Sequence, residues 1–156
     1  MKYEKKLTID SIDRKILYHL QRDASMTIKQ IANKVHLSPT PCWKRIQRME
    51  EIGIIRARVA LLDADLVDAG VTVFMSIRTM HNAEWSAKFV REMKKIPEIV
   101  EIYRMSGEVD YLLRVAVADI AAYDRIYKTI VSRIALSDVT SMFALEKVKH
   151  TTALPV

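Results

Sequence analysis

Two prolines one residue apart, Pro39 and Pro41 in the stretch VHLSPTPCWKRIQRM (Val35–Met49), fix where a helix can begin. Proline locks φ near the helical value and lacks an N–H that the first turn could not pair anyway. It suits a helix start and breaks a helix interior. Ser38, just before, is a good N-cap candidate, with a hydroxyl for an amide of the first turn. The chain therefore turns at His36-Leu37-Ser38 and starts a helix at Pro39. Cys42, Ile46 and Met49 then recur at helical steps and face inward, and Gly53 offers the left-handed residue that ends the helix.

The residues upstream repeat the helical period twice. Ile9, Ile12, Ile16 and Leu20 share one face of a helix over about Asp10 to Gln21. Thr27 and Gln30 fit a capping box at the head of a second helix, Ile28 to Val35, whose buried stripe is Ile28, Ile31, Ala32 and Val35. Two short helices joined by a tight turn, the second of them basic, form a helix-turn-helix. Leu37 fills the space between them. Charge agrees with a nucleic-acid partner for this part: residues 1–62 carry a net +7, whereas residues 63–156 carry −1.

After residue 53 the pattern changes. The run IIRARVALL, residues 54–62, reads as a short strand or wing, and DADLVDAG as a linker closed by Gly70. Val71–Thr79 is strand-like. Glu84–Lys95 is helical, with Trp85, Phe89, Val90 and Met93 inward. Ile99–Met105 and Tyr111–Ala118 are strands around the turn at Ser106–Asp110. Asp119 to about Arg133 is a helix, and Val139–Val148 the last strand. The order βαββαβ predicts a ferredoxin-like α/β sandwich.

The expected fold is thus α+β: an N-terminal winged-type helix-turn-helix domain of three helices, then a C-terminal ferredoxin-like α/β sandwich. Residues 1–56 form the helix-turn-helix domain, 57–70 a linker strand or hinge, and 71–156 the α/β domain, which the resemblance described next makes an effector-binding and oligomerisation domain. One cysteine, Cys42, leaves no internal disulfide, and the four histidines lack metal-ligand spacing. No cofactor is expected. No run of apolar residues approaches a membrane span, and MKYEKK is not followed by an apolar signal core, so the expected location is the cytoplasm, at the nucleoid.

Several segments together resemble the Lrp/AsnC, or feast/famine, family of bacterial transcription regulators. They are IDRKIL (residues 12–17), LSPTPCWKRIQRMEEIGII (37–55), ALLD (60–63), SGEVDYLLRV (106–115) and LEKVK (145–149). The resemblance covers nearly the whole chain. It implies a helix-turn-helix domain, a linker strand, and a βαββαβ domain that binds an amino-acid effector and assembles homodimers into tetramers or octamers. His36 departs from the family, which often has Gly there; His enters the left-handed region more readily than most residues. CWKR, RMSGEVDYLLRVAVAD (104–119), LSDVTS (136–141) and the tail TTALPV (151–156) are similar to a branch that answers to cysteine.

Two sites follow. On the third helix Thr40, Lys44, Gln47 and Glu51 share an outward face flanked by Arg45 and Arg48 and bordered by Trp43. Polar side chains there reach base edges and cations meet phosphate, so Ser38, Thr40, Trp43, Lys44, Arg45, Gln47 and Arg48 form the expected DNA-binding set. Within that set, Trp43 is weighted toward packing between helices. In the second domain, Gly107 and Asp110 suit an ordinary turn. The resemblance turns that loop into a pocket for a free amino acid, built from Met105, Ser106, Gly107, Glu108, Asp110, Thr140 and Met142 at a contact between dimers.

The function expected is a sequence-specific DNA-binding regulator on a near-palindromic double-stranded operator, controlled by an amino acid, with cysteine the first candidate. The alternative is an architectural nucleoid protein whose second domain serves assembly only. Enzyme chemistry is disfavoured. Asp110, Glu108, His81 and Tyr111 are capable groups, yet no nucleophile–base set, phosphate loop or metal spacing accompanies them.

Overall fold

The structure, a computed structural model, describes residues 9–79 and 83–156. It divides into two compact units. One holds the chain through Leu61 together with Lys149–Val156; the other is Leu62–Val148. His81 lies outside the described residues.

The first unit contains α1 (Ser11–Leu20), α2 (Ile28–Lys34) and α3 (Pro39–Glu51). Asp10 caps α1 by accepting from the Ile12 and Asp13 amides, and Asp13 returns the favour at the Asp10 amide, a complete capping box. The expected Thr27–Gln30 capping box heads α2. Ile16, Ile31, Ala32, Cys42, Ile46 and Met49 have essentially no exposed surface and form the core, with Leu37 packed half-buried against it. His36 takes the left-handed conformation, φ 56°, and turns α2 into α3.

Ser38 occupies the N-cap position of α3, but its side chain makes no capping bond. The sequence expectation fails for a local reason. An N-cap hydroxyl serves the second or third helical amide, and the third residue here is Pro41, which has none. Pro41 thus removes one of the two amides the cap would satisfy.

The strand expected over residues 54–62 is not found among the described residues. Residues 53–62 form no strand in the described chain, and Val59, Leu61 and Leu62 are exposed. A strand needs a ladder partner, and no described strand of the first unit supplies one. The C-terminal residues, grouped with the second domain from sequence, lie with the first unit instead. Gln21 Nε2 donates to the Leu154 carbonyl at 3.1 Å, and the Leu154 amide donates to Gln21 Oε1 at 2.6 Å.

The second unit has β1 (Val71–Arg78), α4 (Ala83–Met93), β2 (Ile99–Arg104), β3 (Tyr111–Val117), α5 (Ile120–Arg133) and β4 (Asp138–Phe143). The sheet order is β2-β3-β1-β4, every neighbouring pair antiparallel. One face is apolar and buried: Val73, Met75 and Ile77 on β1 and Leu113 and Val115 on β3 pack with Phe89 and Met93 of α4 and Ile130 of α5. The other face carries Phe74, Ser76, Leu112, Arg114, Thr140 and Met142, all at least half-exposed or partly so. β4 ends at Phe143, five residues short of the expected end. Phe143 pairs with Val73 and the Ala144 amide reaches Thr72, so β1 has no ladder left to offer.

Among the described residues, no helix is long and apolar enough to cross a membrane, and no cluster of three or more potential metal ligands occurs.

Candidate nucleic-acid interface and effector site

The third helix presents its expected side chains unequally. Thr40, Trp43 and Lys44 are exposed, and Gln47 is half-buried. Lys44, with Lys29 and Lys34 of α2, is exposed and holds no ion pair among the described residues. These three cations are available to phosphate.

Arg45 and Arg48 are engaged elsewhere. Arg45 donates to Asp10 at 2.6 Å and to Asp13 at 2.9 Å, and Arg48 donates to Asp13 at 2.5 Å. Asp13 has no exposed surface, and besides the Asp10 amide it accepts only from Arg45 and Arg48, which tie α3 to α1. The Asp13 amide and the Arg45 guanidinium hold the Asp10 carboxyl below its ordinary value, and Asp10 in turn raises Arg45. Both arginines thus tie α3 to α1. Sequence reasoning missed Asp13 because IDRKIL reads as an amphipathic stripe. The signal was there: an acidic residue on the same face as Ile9 and Ile16.

The α3 N-terminus offers little to an anion. Pro39 and Pro41 have no N–H, and the Cys42 amide already bonds the Ser38 carbonyl at 3.3 Å. Thr40 is left as a lone donor of the first turn. The Ser38 hydroxyl, released from capping, remains exposed. Cys42 is buried, and burial pushes its thiol up, which fits a core residue and not a reactive one.

In the second unit the turn between β2 and β3 is pinned to the end of β1. The Met105 amide donates to the Asp110 carbonyl at 2.8 Å, and the Asp110 amide donates to the Ile77 carbonyl at 2.9 Å. One Asp110 carboxylate oxygen accepts from the Thr79 amide at 2.7 Å. Gly107 sits at φ 114°, which a side chain would resist. Met105, Ser106 and Glu108 are exposed. Arg78, absent from the expected set, links the turn to β4: it bonds Glu108 at 3.1 Å and lies 4.0 Å from Asp138. Thr140 and Met142 are on β4, opposite Ser76 and Phe74, on the sheet face that no helix covers. The expected effector residues therefore fall into two groups, a turn and a strand, with Arg78 between them.

Two family descriptions match the chain: winged helix-turn-helix DNA-binding over residues 9–56 and Lrp/AsnC ligand binding domain over residues 72–154. The chain belongs to the Lrp/AsnC family. It is 47% identical over 150 residues to the DNA-binding transcriptional activator DecR of Escherichia coli K12, covering 95% of this chain and 99% of that one. A crystal structure of an AsnC family transcriptional regulator from Agrobacterium tumefaciens is 55% identical with a TM-score of 0.92, covering 94% and 97%. A Neisseria meningitidis transcriptional regulator in complex with L-Met is 34% identical with a TM-score of 0.90, covering 95% and 97%. The chain is accordingly a transcription regulator that joins a DNA-binding helix-turn-helix domain to a ligand-binding α/β domain.

Proposed function

We propose that this regulator binds a near-palindromic operator through α3 and that a free amino acid, bound in the second unit, changes that binding. The carrying observation is the division of labour on α3: Thr40, Trp43 and Lys44 face out, while Arg45 and Arg48 are held by Asp10 and Asp13. Thr40, Trp43, Lys44 and Gln47 read the major groove, and Ser38, Lys29 and Lys34 meet phosphate. Arg45 and Arg48 act one step back, setting the angle at which α3 enters the groove.

The effector binds beside the β2–β3 turn. Arg78 is suited to a carboxylate, and Glu108 or Asp138 to an ammonium, since all three already meet across the end of β1. Ser106, Thr140 and Met142 shape the side-chain pocket, and Asp110 holds the turn. That a relative of the same fold is complexed with L-Met supports an amino acid as the ligand class. The uncovered sheet face, with Phe74, Leu112, Tyr103 and Met142, is the surface on which a second copy packs, so the pocket is completed between subunits. The protein acts by binding and not by catalysis, in the cytoplasm at the nucleoid.

Selection from a random duplex pool tests the DNA half of this reading. A two-fold symmetric sequence should emerge, and Lys44→Ala should weaken its binding and lower the dependence on salt by about one counterion. Failure of the pool to enrich any sequence would remove it.

A further inference from the structure

We propose that Trp43, together with Ile28, reads the methyl group of a thymine in the major groove. The inference rests on the DNA-binding reading of α3 and names what one of its side chains recognises.

The indole is out of place for a packing residue. The first unit's core closes without it: Cys42 and Ile46, on either side of Trp43 in the helix, have 0% and 1% exposed surface, while Trp43 keeps 44%. Its Nε1–H donates to no described residue, whereas a tryptophan that packs between helices usually finds a partner for that group. Instead the ring lines an open apolar notch with Ile28, Pro39 and Thr40. That notch lies between the first turns of α2 and α3, the two helices of the helix-turn-helix.

Its surroundings identify the occupant. Lys29 and Gln30 follow Ile28, Lys44 follows Trp43, and all are exposed. An apolar hollow on the two helices that also carry the exposed cations Lys29, Lys34 and Lys44 suits an apolar group carried on a polyanion. Duplex DNA presents one such group in the major groove, the thymine C5-methyl, and the amino-terminal part of a recognition helix is the part that reaches base edges. Ile28 and the indole supply the apolar contact. The free indole N–H and the Thr40 hydroxyl remain for neighbouring acceptors.

The test uses the full chain and the duplex recovered by selection, with each thymine of a half-site replaced in turn by deoxyuridine. Deoxyuridine removes the methyl and keeps the pairing edge. Wild-type protein should lose about fourfold in affinity at one thymine and little at the others, the loss expected for one buried methyl. Trp43→Ala should bind more weakly overall and show no further loss at that position. Lys44→Ala should weaken binding yet keep the methyl effect. Thermal unfolding of the Trp43→Ala protein checks that the fold is retained, and Ile28→Ala gives a second, independent route to the same loss. Equal binding of thymine and uracil duplexes at every position would overturn the inference while leaving DNA binding intact. A methyl effect that survives both Trp43→Ala and Ile28→Ala would overturn it as well. Absence of any selected duplex would remove the reading beneath it, and the inference with it.

Discussion

A carboxylate with no exposed surface needs partners, and Asp13 has three: the Asp10 amide, Arg45 and Arg48. Removing one side of such a cluster leaves charges without their intended neighbours. Here the arginines are 30% and 48% exposed, so water recovers part of the loss. Asp13→Ala should destabilise the first unit by about 2–4 kcal/mol. The measurement is direct, because Trp43 and Trp85 fall in different units. In a Trp85→Phe background, Trp43 fluorescence reports unfolding of the first unit alone; a change below about 0.5 kcal/mol, the range of ordinary surface substitutions, would contradict the assignment. Asp10 adds a pH dependence. Its carboxyl is held low by the Asp13 amide and Arg45, so its contribution is present above the ordinary value of 3.8 and is lost as pH falls through the lower folded value. Asp10→Asn should therefore flatten the acid limb of stability below about pH 4 in the same fluorescence experiment. Arg45 and Arg48 show what sequence could not decide. Helical spacing places a residue on a face, but an arginine at the edge of that face can turn either way. The direction depended on Asp13, 32 and 35 residues away.

At the scale of elements, the helices were legible because their signals are local. Apolar period, the Thr27–Gln30 box and the proline start are all read within a few residues, and α1, α2 and α3 fall within a residue or two of expectation. Gly53 at φ 79° ends α3, and a Cβ there would meet nothing within 4 Å. Gly53→Ala should then cost only the backbone strain, about 1 kcal/mol, by the Trp43 signal; a loss several times larger would mean that the position is crowded. The strands were legible in type and order but not in length. β4 stops where β1 begins, a fact of pairing that its own residues VTSMFALEKV do not carry. The strand expected over residues 54–62 is missing for the same reason. Its β-branched start expresses a local preference, and a strand is made by its neighbour.

For the whole molecule, the two units carry the two halves of the regulator. The α/β unit buries one sheet face under α4 and α5 and leaves the other with a mixed surface, where Arg114 bonds Glu101 at 2.6 Å and Tyr103 bonds the same carboxylate at 2.7 Å. Burial on one side only is what alternation along β1 and β3 predicts, and it leaves a surface for assembly. The DNA-binding half was readable from spacing and charge together. The effector half was readable only as a region, since its expected residues come from a turn and a strand that meet only in the folded sheet. Arg78 illustrates this: a lone cation ending an apolar strand gains meaning from Glu108 and Asp138, which come from two other parts of the chain. In the proposed regulator, ligand binding in one unit is coupled to DNA binding in the other. That coupling is read from the affinity of the full protein for its selected duplex, taken with and without each common free amino acid at millimolar concentration. At least one, with cysteine the first to try, should shift the dissociation constant about five- to hundredfold, and Arg78→Ala should abolish the shift while leaving affinity without ligand unchanged. An affinity that no amino acid changes would contradict the coupling.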